Sequence, residues 1–474
     1  MSDLMEKIIS LCKRRGFIYQ SSEIYGGLEA LWDYGPLGAL LKNNIRKEWL
    51  KRFVQEREDI VLLDGTVLMH PKVWEASGHL ESFTDPLVEC KKCNKRFRYD
   101  YLKKLSVTEI KKELEKQRII DWPSVWKAQG EEFKRKWRQC ECGEIIKEDP
   151  RQFNLMFKTF LGPVEDKAHI TYLRPESAQS IFADFRLIQE SMRLEVPFGI
   201  AQTGRCFRNE ITTGNFTFRS REFDIAEIEY FVEPGKDEKQ FDVWLDNWEK
   251  LFLDLGLKRE NLRRYEHPKE SLSHYSKRTV DIEYKFPFGW AELAGVANRT
   301  DYDLKRHSAF SNSDLRYFNE ETKKKYYPYV IEPTMGLERA LLAILCDAYT
   351  EIKGGRTKTT ESSKEVETVL KLDKKIAPIE MAVLPLVKNK PALVKKAKEV
   401  FGLLKPHFSA QYDEAGSIGR RYRRQDEIGT LFAVTIDFDT LKSNDVTVRD
   451  RDTMSQKRVK ITDLVDFLEE KLKN

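Results

Sequence analysis

The run Phe207-Arg208-Asn209-Glu210-Ile211, followed a short loop later by Arg219-Ser220-Arg221-Glu222-Phe223, gathers forked cations, carboxylates and aromatic faces into one hairpin. An arginine fork can grip an α-phosphate together with an attacking carboxylate. An acid beside it can carry Mg²⁺ or meet an adenine amine, and a phenylalanine can stack on a base. These are the parts needed to hold a bent nucleoside triphosphate, so the hairpin points to chemistry on a phosphate anhydride. In isolation the same residues would serve equally as a salt-bridged, exposed hairpin, because charged pairs on strands are common.

The elements that must position the hairpin can be read on either side of it. Residues 36–56 carry Leu37, Leu40, Leu41, Ile45, Trp49 and Phe53 at helical spacing, and 60–63 and 67–69 read as strand. Pro71 closes that strand; since proline cannot donate to a ladder, an edge or an interface is expected there. A helix is expected over 178–190, after Arg174-Pro175-Glu176. Residues 225–231 alternate apolar and acidic, which sends Glu227 and Glu229 to one face and Ile228 and Tyr230 to the other; a strand with one face in solvent is the plain reading. An amphipathic helix over 236–257 carries Trp244, Leu245, Trp248, Leu251 and Phe252, and further strands fall at 280–284 and 290–297. Residues 330–339 run from strand to turn to helix. Gly336 permits close backbone approach, and Arg339, in a first helical turn where the dipole disfavours a cation, calls for an anion.

A chain of 474 residues has room for two or three domains, and 41% hydrophobic with 34% charged residues describes a soluble, globular protein. Its apolar run over 340–345 is far too short to span a bilayer, so no membrane partner is expected. The opening Met1-Ser2-Asp3-Leu4-Met5-Glu6 shows neither a secretory nor a transit pattern, and a cytoplasmic location follows as the expectation. A net charge of +5 on so long a chain means that any nucleic-acid surface is a local patch. Cys12 and Cys346 sit in apolar runs as core thiols, and Cys206 has no adjacent histidine to activate it. The pairs Cys90-x-x-Cys93 and Cys140-x-Cys142 favour a four-thiolate zinc knuckle over disulfides in a reducing compartment, against the alternative of a knuckle that has lost its metal. Residues 86–150 around them read as an insertion. Residues 351–373 are polar and read as a linker, and 374–474 alternate strands and helices as a small α/β domain. There Arg420-Arg421-Tyr422-Arg423-Arg424 suits RNA phosphates and a stacked base, or, as a charge run, a solvated surface.

Together these pieces resemble the class II aminoacyl-tRNA synthetases and, within them, the homodimeric glycyl-tRNA synthetases, over almost the whole chain. The helix and strand ending at Pro71 look like motif 1, residues 207–223 like motif 2, and Gly336-Leu337-Glu338-Arg339 like motif 3. Trp32-Asp33-Tyr34-Gly35-Pro36, Val73-Trp74-Glu75-Ala76-Ser77-Gly78-His79, Tyr172-Leu173-Arg174-Pro175-Glu176 and the stretch Glu292 to Arg299 are similar to the glycyl enzymes. The resemblance implies an α+β catalytic domain over 1–85 and 151–350, with a mixed, mainly antiparallel sheet flanked by helices. It also implies an inserted cysteine-containing subdomain over 86–150, a linker over 351–373 and a C-terminal α/β anticodon-binding domain over 374–474.

By resemblance the reaction is glycine activation with ATP and Mg²⁺, followed by transfer to tRNA-Gly, in a homodimer. Arg208, Glu210 and Arg339 would be catalytic, and ATP would meet them together with Asn209, Phe218, Arg219, Ser220, Arg221, Phe223, Glu292, Leu293 and Gly336. Glycine would meet Arg98, Glu176, Glu227, Glu332 and Thr334, the last standing where a serine is more familiar; Arg420, Arg421, Arg423, Arg449 and Arg451 would face the anticodon. Glycine offers only an ammonium and a carboxylate to grip, which suits several glutamates aimed at one cation. Every competitor is larger, so wall atoms exclude it and no editing domain is expected. The alternatives are a non-catalytic synthetase-like RNA- or DNA-binding protein and a class IIa synthetase for another amino acid.

Overall fold

The computed structural model describes residues 3–106, 108–110, 112, 137–146, 148–354, 356 and 366–473. Residues 113–136 of the stretch between the cysteine pairs and 357–365 of the segment read as a linker fall outside them.

A seven-stranded sheet organises the catalytic region. Helix α1 (Pro36–Leu50) runs into a π-helical turn, Lys51–Gln55, and feeds strand β1 (Ile60–Leu62). Helix α2 (Ala178–Met192) precedes the hairpin of β2 (Phe198–Phe207) and β3 (Glu222–Val232). Then follow α3 (Asp237–Asp254), β4 (Leu262–Glu266), β5 (Arg278–Phe286), β6 (Gly289–Thr300), α4 (Tyr302–Ser311), β7 (Tyr329–Gly336) and α5 (Leu337–Ala348). The order across the sheet is β4-β5-β6-β7-β3-β2-β1, and every neighbouring pair is antiparallel except β1 with β2.

Both faces of β3 are covered. On one side Ala226, Ile228, Tyr230 and Val232 join the main core with α3 and α5; the Tyr230 and Trp244 rings lie 5.2 Å apart, and Phe53 meets Trp248 at 4.7 Å. On the other side Phe231 packs with Phe182 and Phe185 of α2 and with Phe198. The alternation of apolar and acidic residues therefore does not mark a solvent face: Glu227 and Glu229 are 2% and 0% exposed. Carboxylates buried at that level need partners, and they are the beginning of a site.

One buried ion cluster ties the three motif-like segments together. Lys42 of α1 reaches Asp224 of β3 at 2.9 Å and Glu338 of α5 at 2.6 Å, while the backbone N–H of Asp224 donates to Glu338 at 2.9 Å. Arg46, one turn further along α1, also reaches Asp224, at 2.6 Å.

Three expectations need correction. Pro71 does not close a strand: it opens the helix Pro71–Ala76 at its first position, where a missing N–H costs nothing, and the strand before it is Leu68–Met69 at the end of a small sheet. The segment read as a linker carries strand among its described residues, since Tyr349–Lys353 pairs with Val366–Leu370. In the C-terminal domain, a five-stranded sheet with helices Pro391–Leu404, Ile418–Ile428 and Leu464–Lys473, three of the five arginines assigned to the anticodon are internal. Arg421 donates to the carbonyls of Pro385 and Gly416, Arg449 pairs with Asp426 at 2.9 Å, and Arg451 donates to the carbonyls of Gly429 and Leu372. They are 1%, 3% and 4% exposed and brace the domain; Arg420 is exposed and Arg423 half-buried.

Lys42→Met removes the shared cation and leaves Glu338 buried beside Asp224. It is expected to lower stability by about 3 kcal/mol or more, read as a fall in the denaturant midpoint; an unchanged midpoint would contradict the cluster's structural role.

Candidate active site

The β2/β3 hairpin pairs Phe207 with Glu222, so residues 208–221 form its loop at the mouth of the sheet. Arg221 stiffens that loop by donating to the carbonyls of Glu210 at 3.2 Å and Glu29 at 3.0 Å. Arg208 lies between the rings of Phe83 and Phe223, at 5.5 and 5.4 Å, and its Nε donates to the Pro175 carbonyl at 3.1 Å. Across the cleft Arg339 stacks on Phe218 at 4.5 Å and pairs with Glu292 at 2.9 Å, which holds that carboxyl below its ordinary range. Glu210 has a buried Oε2 without a hydrogen bond, with Arg219 at 3.7 Å.

Of the residues assigned to ATP, Arg208, Glu210, Phe218, Arg219, Ser220, Phe223, Glu292, Gly336 and Arg339 line one cleft. Leu293 is core, Arg221 is the brace, and Asn209 donates its backbone N–H to Leu155; these three do not line it. The cleft thus combines three guanidinium groups, aromatic faces and an acid on its exposed side. That composition suits a polyphosphate bearing a flat base.

Thr334 also lines the cleft, and beside it the sheet gathers a cluster of buried carboxylates, Glu176, Glu227, Glu229 and Glu332. Arg174 fixes one wall: it is 2% exposed and donates to the carbonyls of Arg205 and Gly65, both at 2.9 Å, which sets Glu176 two residues on. The register places Glu227 opposite Thr334, and small residues of β6, Gly295 and Ala297, face Thr334 and Glu332. Arg299, at the end of β6, sits in the middle. It reaches Asp303 at 2.8 Å, Glu332 at 2.8 Å and Glu176 at 3.8 Å. Glu176 also lies 3.4 Å from His79 and accepts from Gln179, while Glu227 accepts the Ser177 backbone N–H at 2.8 Å.

Burial disfavours the charged form of Glu176, Glu227, Glu229 and Glu332. His79 and Arg299 overcome it at Glu176, which stays well below the ordinary carboxylate range. They do not overcome it elsewhere: burial and Glu176 raise Glu227, burial and Glu332 raise Glu229 far above its usual value, and Glu332 is pushed up to about 8. Five acids, Glu176, Glu227, Glu229, Asp303 and Glu332, converge on one guanidinium. The cluster is deficient in positive charge, and a small ammonium ion is the species that would supply it.

Glu176, Glu227, Glu332 and Thr334 are thus brought together. Arg98 lies elsewhere: it pairs with Asp85 at 3.1 Å and Asp100 at 2.9 Å, stacks on Tyr101 at 4.7 Å, and its backbone N–H donates to Thr212 of the hairpin loop. Tyr101 also stacks on Arg219, at 5.4 Å, so Arg98 is linked to the cleft through Tyr101 and does not line it. In that subdomain the four sulfurs of Cys90, Cys93, Cys140 and Cys142 lie within 4.8 Å of one another, with Cys90–Cys142 and Cys93–Cys140 at 3.6 Å. All are free thiols. Arg299, Asp303, Glu229, His79 and Gln179 were absent from the residues assigned on sequence; the i, i+4 spacing of Arg299 and Asp303 and the shared face of Glu227 and Glu229 were the signals available.

Two family models match the chain: the tRNA synthetase class II core domain (G, H, P, S and T) over residues 157–348 and an anticodon binding domain over 380–471. Glycine–tRNA ligase of Clostridium acetobutylicum is 51% identical, over 99% of each chain. That of Geobacillus kaustophilus is 50% identical over the full length of both, and that of Thermobifida fusca is 49% identical over 99% of this chain and 98% of its own. Among solved structures, prolyl-tRNA synthetase of Cryptosporidium parvum superposes with a TM-score of 0.63 at 13% identity, over 99% of this chain and 78% of that one, a likeness of fold alone. With a catalytic sheet, a hairpin and an anticodon-type domain laid out in this order, the chain belongs to the glycine–tRNA ligases of the class II aminoacyl-tRNA synthetase family.

Proposed function

We infer that this chain joins glycine to ATP as glycyl-adenylate and then transfers the glycyl group to the 3′ end of tRNA-Gly. The observation that carries the reading is the meeting at Thr334 of an arginine-lined cleft and a cluster of buried carboxylates short of positive charge. Glycine's ammonium would enter the acids Glu176, Glu227 and Glu332, and its carboxylate would point out past Thr334 toward Arg208. The α-phosphate of ATP would lie on the same guanidinium, so the attacking oxygen and the phosphorus are aligned by one fork.

The carboxylate oxygen attacks the α-phosphorus, and pyrophosphate leaves on the opposite side, its charge met by Arg219 and Arg339. A terminal ribose hydroxyl of the tRNA then attacks the glycyl carbonyl, and AMP departs. Neither step needs an enzyme nucleophile. Arg208 keeps its rotamer because Phe83, Phe223 and the Pro175 carbonyl hold it, so little reorganisation is left for the reaction. Phe223 would meet the adenine face. Class II synthetases use Mg²⁺ with ATP, and Glu292, on the exposed side of the cleft, would hold it against the outer phosphates; the ion supplies charge neutralisation there.

The four cysteine sulfurs suit zinc. Bonds of about 2.3 Å in a tetrahedron put sulfurs about 3.8 Å apart, and disulfides would need about 2.05 Å; the 3.6 Å separations fit the former. Bound there, zinc would hold the subdomain that carries Arg98 and Tyr101 to the cleft. A homodimer would form along the edge near β1, where Leu62 and Leu68 are exposed. Among the described residues no helix is long and apolar enough to cross a membrane, and a chain that charges tRNA would work in the cytoplasm.

Arg208→Ala is expected to lower glycine-dependent pyrophosphate exchange by about a thousandfold or more with the far-ultraviolet circular dichroism preserved; normal exchange would contradict the assignment. Purified protein is expected to hold one zinc per chain by elemental analysis and Cys140→Ser to lose it. Wild-type protein prepared reduced and with zinc supplied, yet metal-free, would refute the site.

A further inference from the structure

Glu229 is one of the five acids around Arg299, but it has no role of its own in the reading of the site given so far. Its side chain is fully buried, and neither carboxylate oxygen has a hydrogen-bond partner. The pairing of Glu227 with Thr334 and of Tyr230 with Ile331 puts Glu229 directly opposite Glu332 on the same face of the sheet. Residues so placed have Cβ atoms about 5 Å apart. Across the other edge of β3 its neighbour is the apolar Ile200 of β2.

The charged groups around it are Glu227 on its own strand, Glu332 on β7, Arg299 at the end of β6 and Asp303 on α4. Arg299 is already committed: Nε and Nη2 go to Asp303 and Nη1 to Glu332. Among the described residues no further cation is recorded beside Glu229. Two carboxyl groups facing each other at that range in a closed site accommodate one negative charge when they share one proton. The geometry decides which keeps the charge, since Glu332 is the one that Arg299 binds, at 2.8 Å.

We propose that Glu229 is a positioning residue that carries the proton of a Glu229–Glu332 acid pair, donating its O–H across the strand boundary so that Glu332 is held as an oriented carboxylate facing the glycine ammonium. The proposal rests on the glycine reading of the pocket. It adds a group that does not touch substrate: a neutral acid lets a fourth glutamate stand behind the ammonium site without adding a second buried charge. The raised titration range of both carboxyls agrees with a shared proton.

The test compares Glu229→Gln, which keeps a donor of the same shape, with Glu229→Met, which keeps the volume and loses the donor, using glycine-dependent pyrophosphate exchange. Glu229→Met is expected to raise the glycine KM about tenfold or more, with kcat and the ATP KM within about threefold; Glu229→Gln is expected to raise the glycine KM by less than about threefold. An equal rise in both variants would mean that an ionised Glu229 binds the ammonium itself, and no rise in either would make it a bystander; each overturns the proposal. Should Glu229→Met fail to fold, infrared difference spectra of the wild type with and without glycine decide. A protonated-carboxyl band that glycine perturbs and Glu229→Gln lacks supports the proposal, and absence of such a band refutes it. Wild-type enzyme silent with glycine would overturn the glycine reading, and the inference with it.

Discussion

Lys42 is the point on which the arrangement depends. A single ammonium group, buried between Asp224 and Glu338, joins the helix that leads to the sheet edge, the strand that ends the hairpin and the helix that carries Arg339. Asp224 lies next to Phe223, and Glu338 next to Arg339, so the cluster sets two groups of the cleft through one covalent step each. The three segments are distant in sequence. Removing any one partner leaves a charge uncompensated in the interior, and this makes the cluster a constraint on register rather than a reserve of stability.

From that frame the site divides by charge. The cleft is rich in guanidinium groups stacked on aromatic rings, the pocket is rich in carboxylates around one arginine, and the two meet at Thr334. A zwitterion bridges such a boundary naturally, ammonium in the pocket and carboxylate toward the arginines. The pocket walls also explain how so small a substrate is selected. Gly295 and Ala297 leave room over Thr334 and Glu332, while the surrounding side chains are buried and braced, so a larger amino acid would have to displace a wall that is held in several directions.

Much of this was legible from the chain, for identifiable reasons. Arg208, Glu210, Arg219 and Arg339 were found because residues of that type cluster within short segments bounded by strand and turn signals. Glu176, Glu227 and Glu332 came through the resemblance. Glu229 was passed over because alternation says that two faces exist and not which of them is covered; the cover is α2, whose Phe182 and Phe185 approach from a distant segment. Arg299 was hidden because its three acidic partners come from separate segments: Glu176 ahead of α2, Asp303 on α4 and Glu332 on β7. The arginines of the C-terminal domain misled for the converse reason: an arginine looks solvated until its interior partners are seen, the Pro385 and Gly416 carbonyls for Arg421 and Asp426 for Arg449. Pro71 misled because a proline that ends a strand and a proline that begins a helix are the same residue in sequence.

The central claim is that the charge-deficient pocket behind Thr334 takes glycine and presents its carboxylate to ATP. The most direct test is amino-acid-dependent ATP–pyrophosphate exchange with each of the twenty amino acids, Mg²⁺ present and tRNA absent. Exchange with glycine alone is the predicted result. Exchange with a larger amino acid, or silence with all twenty in folded protein, would contradict it.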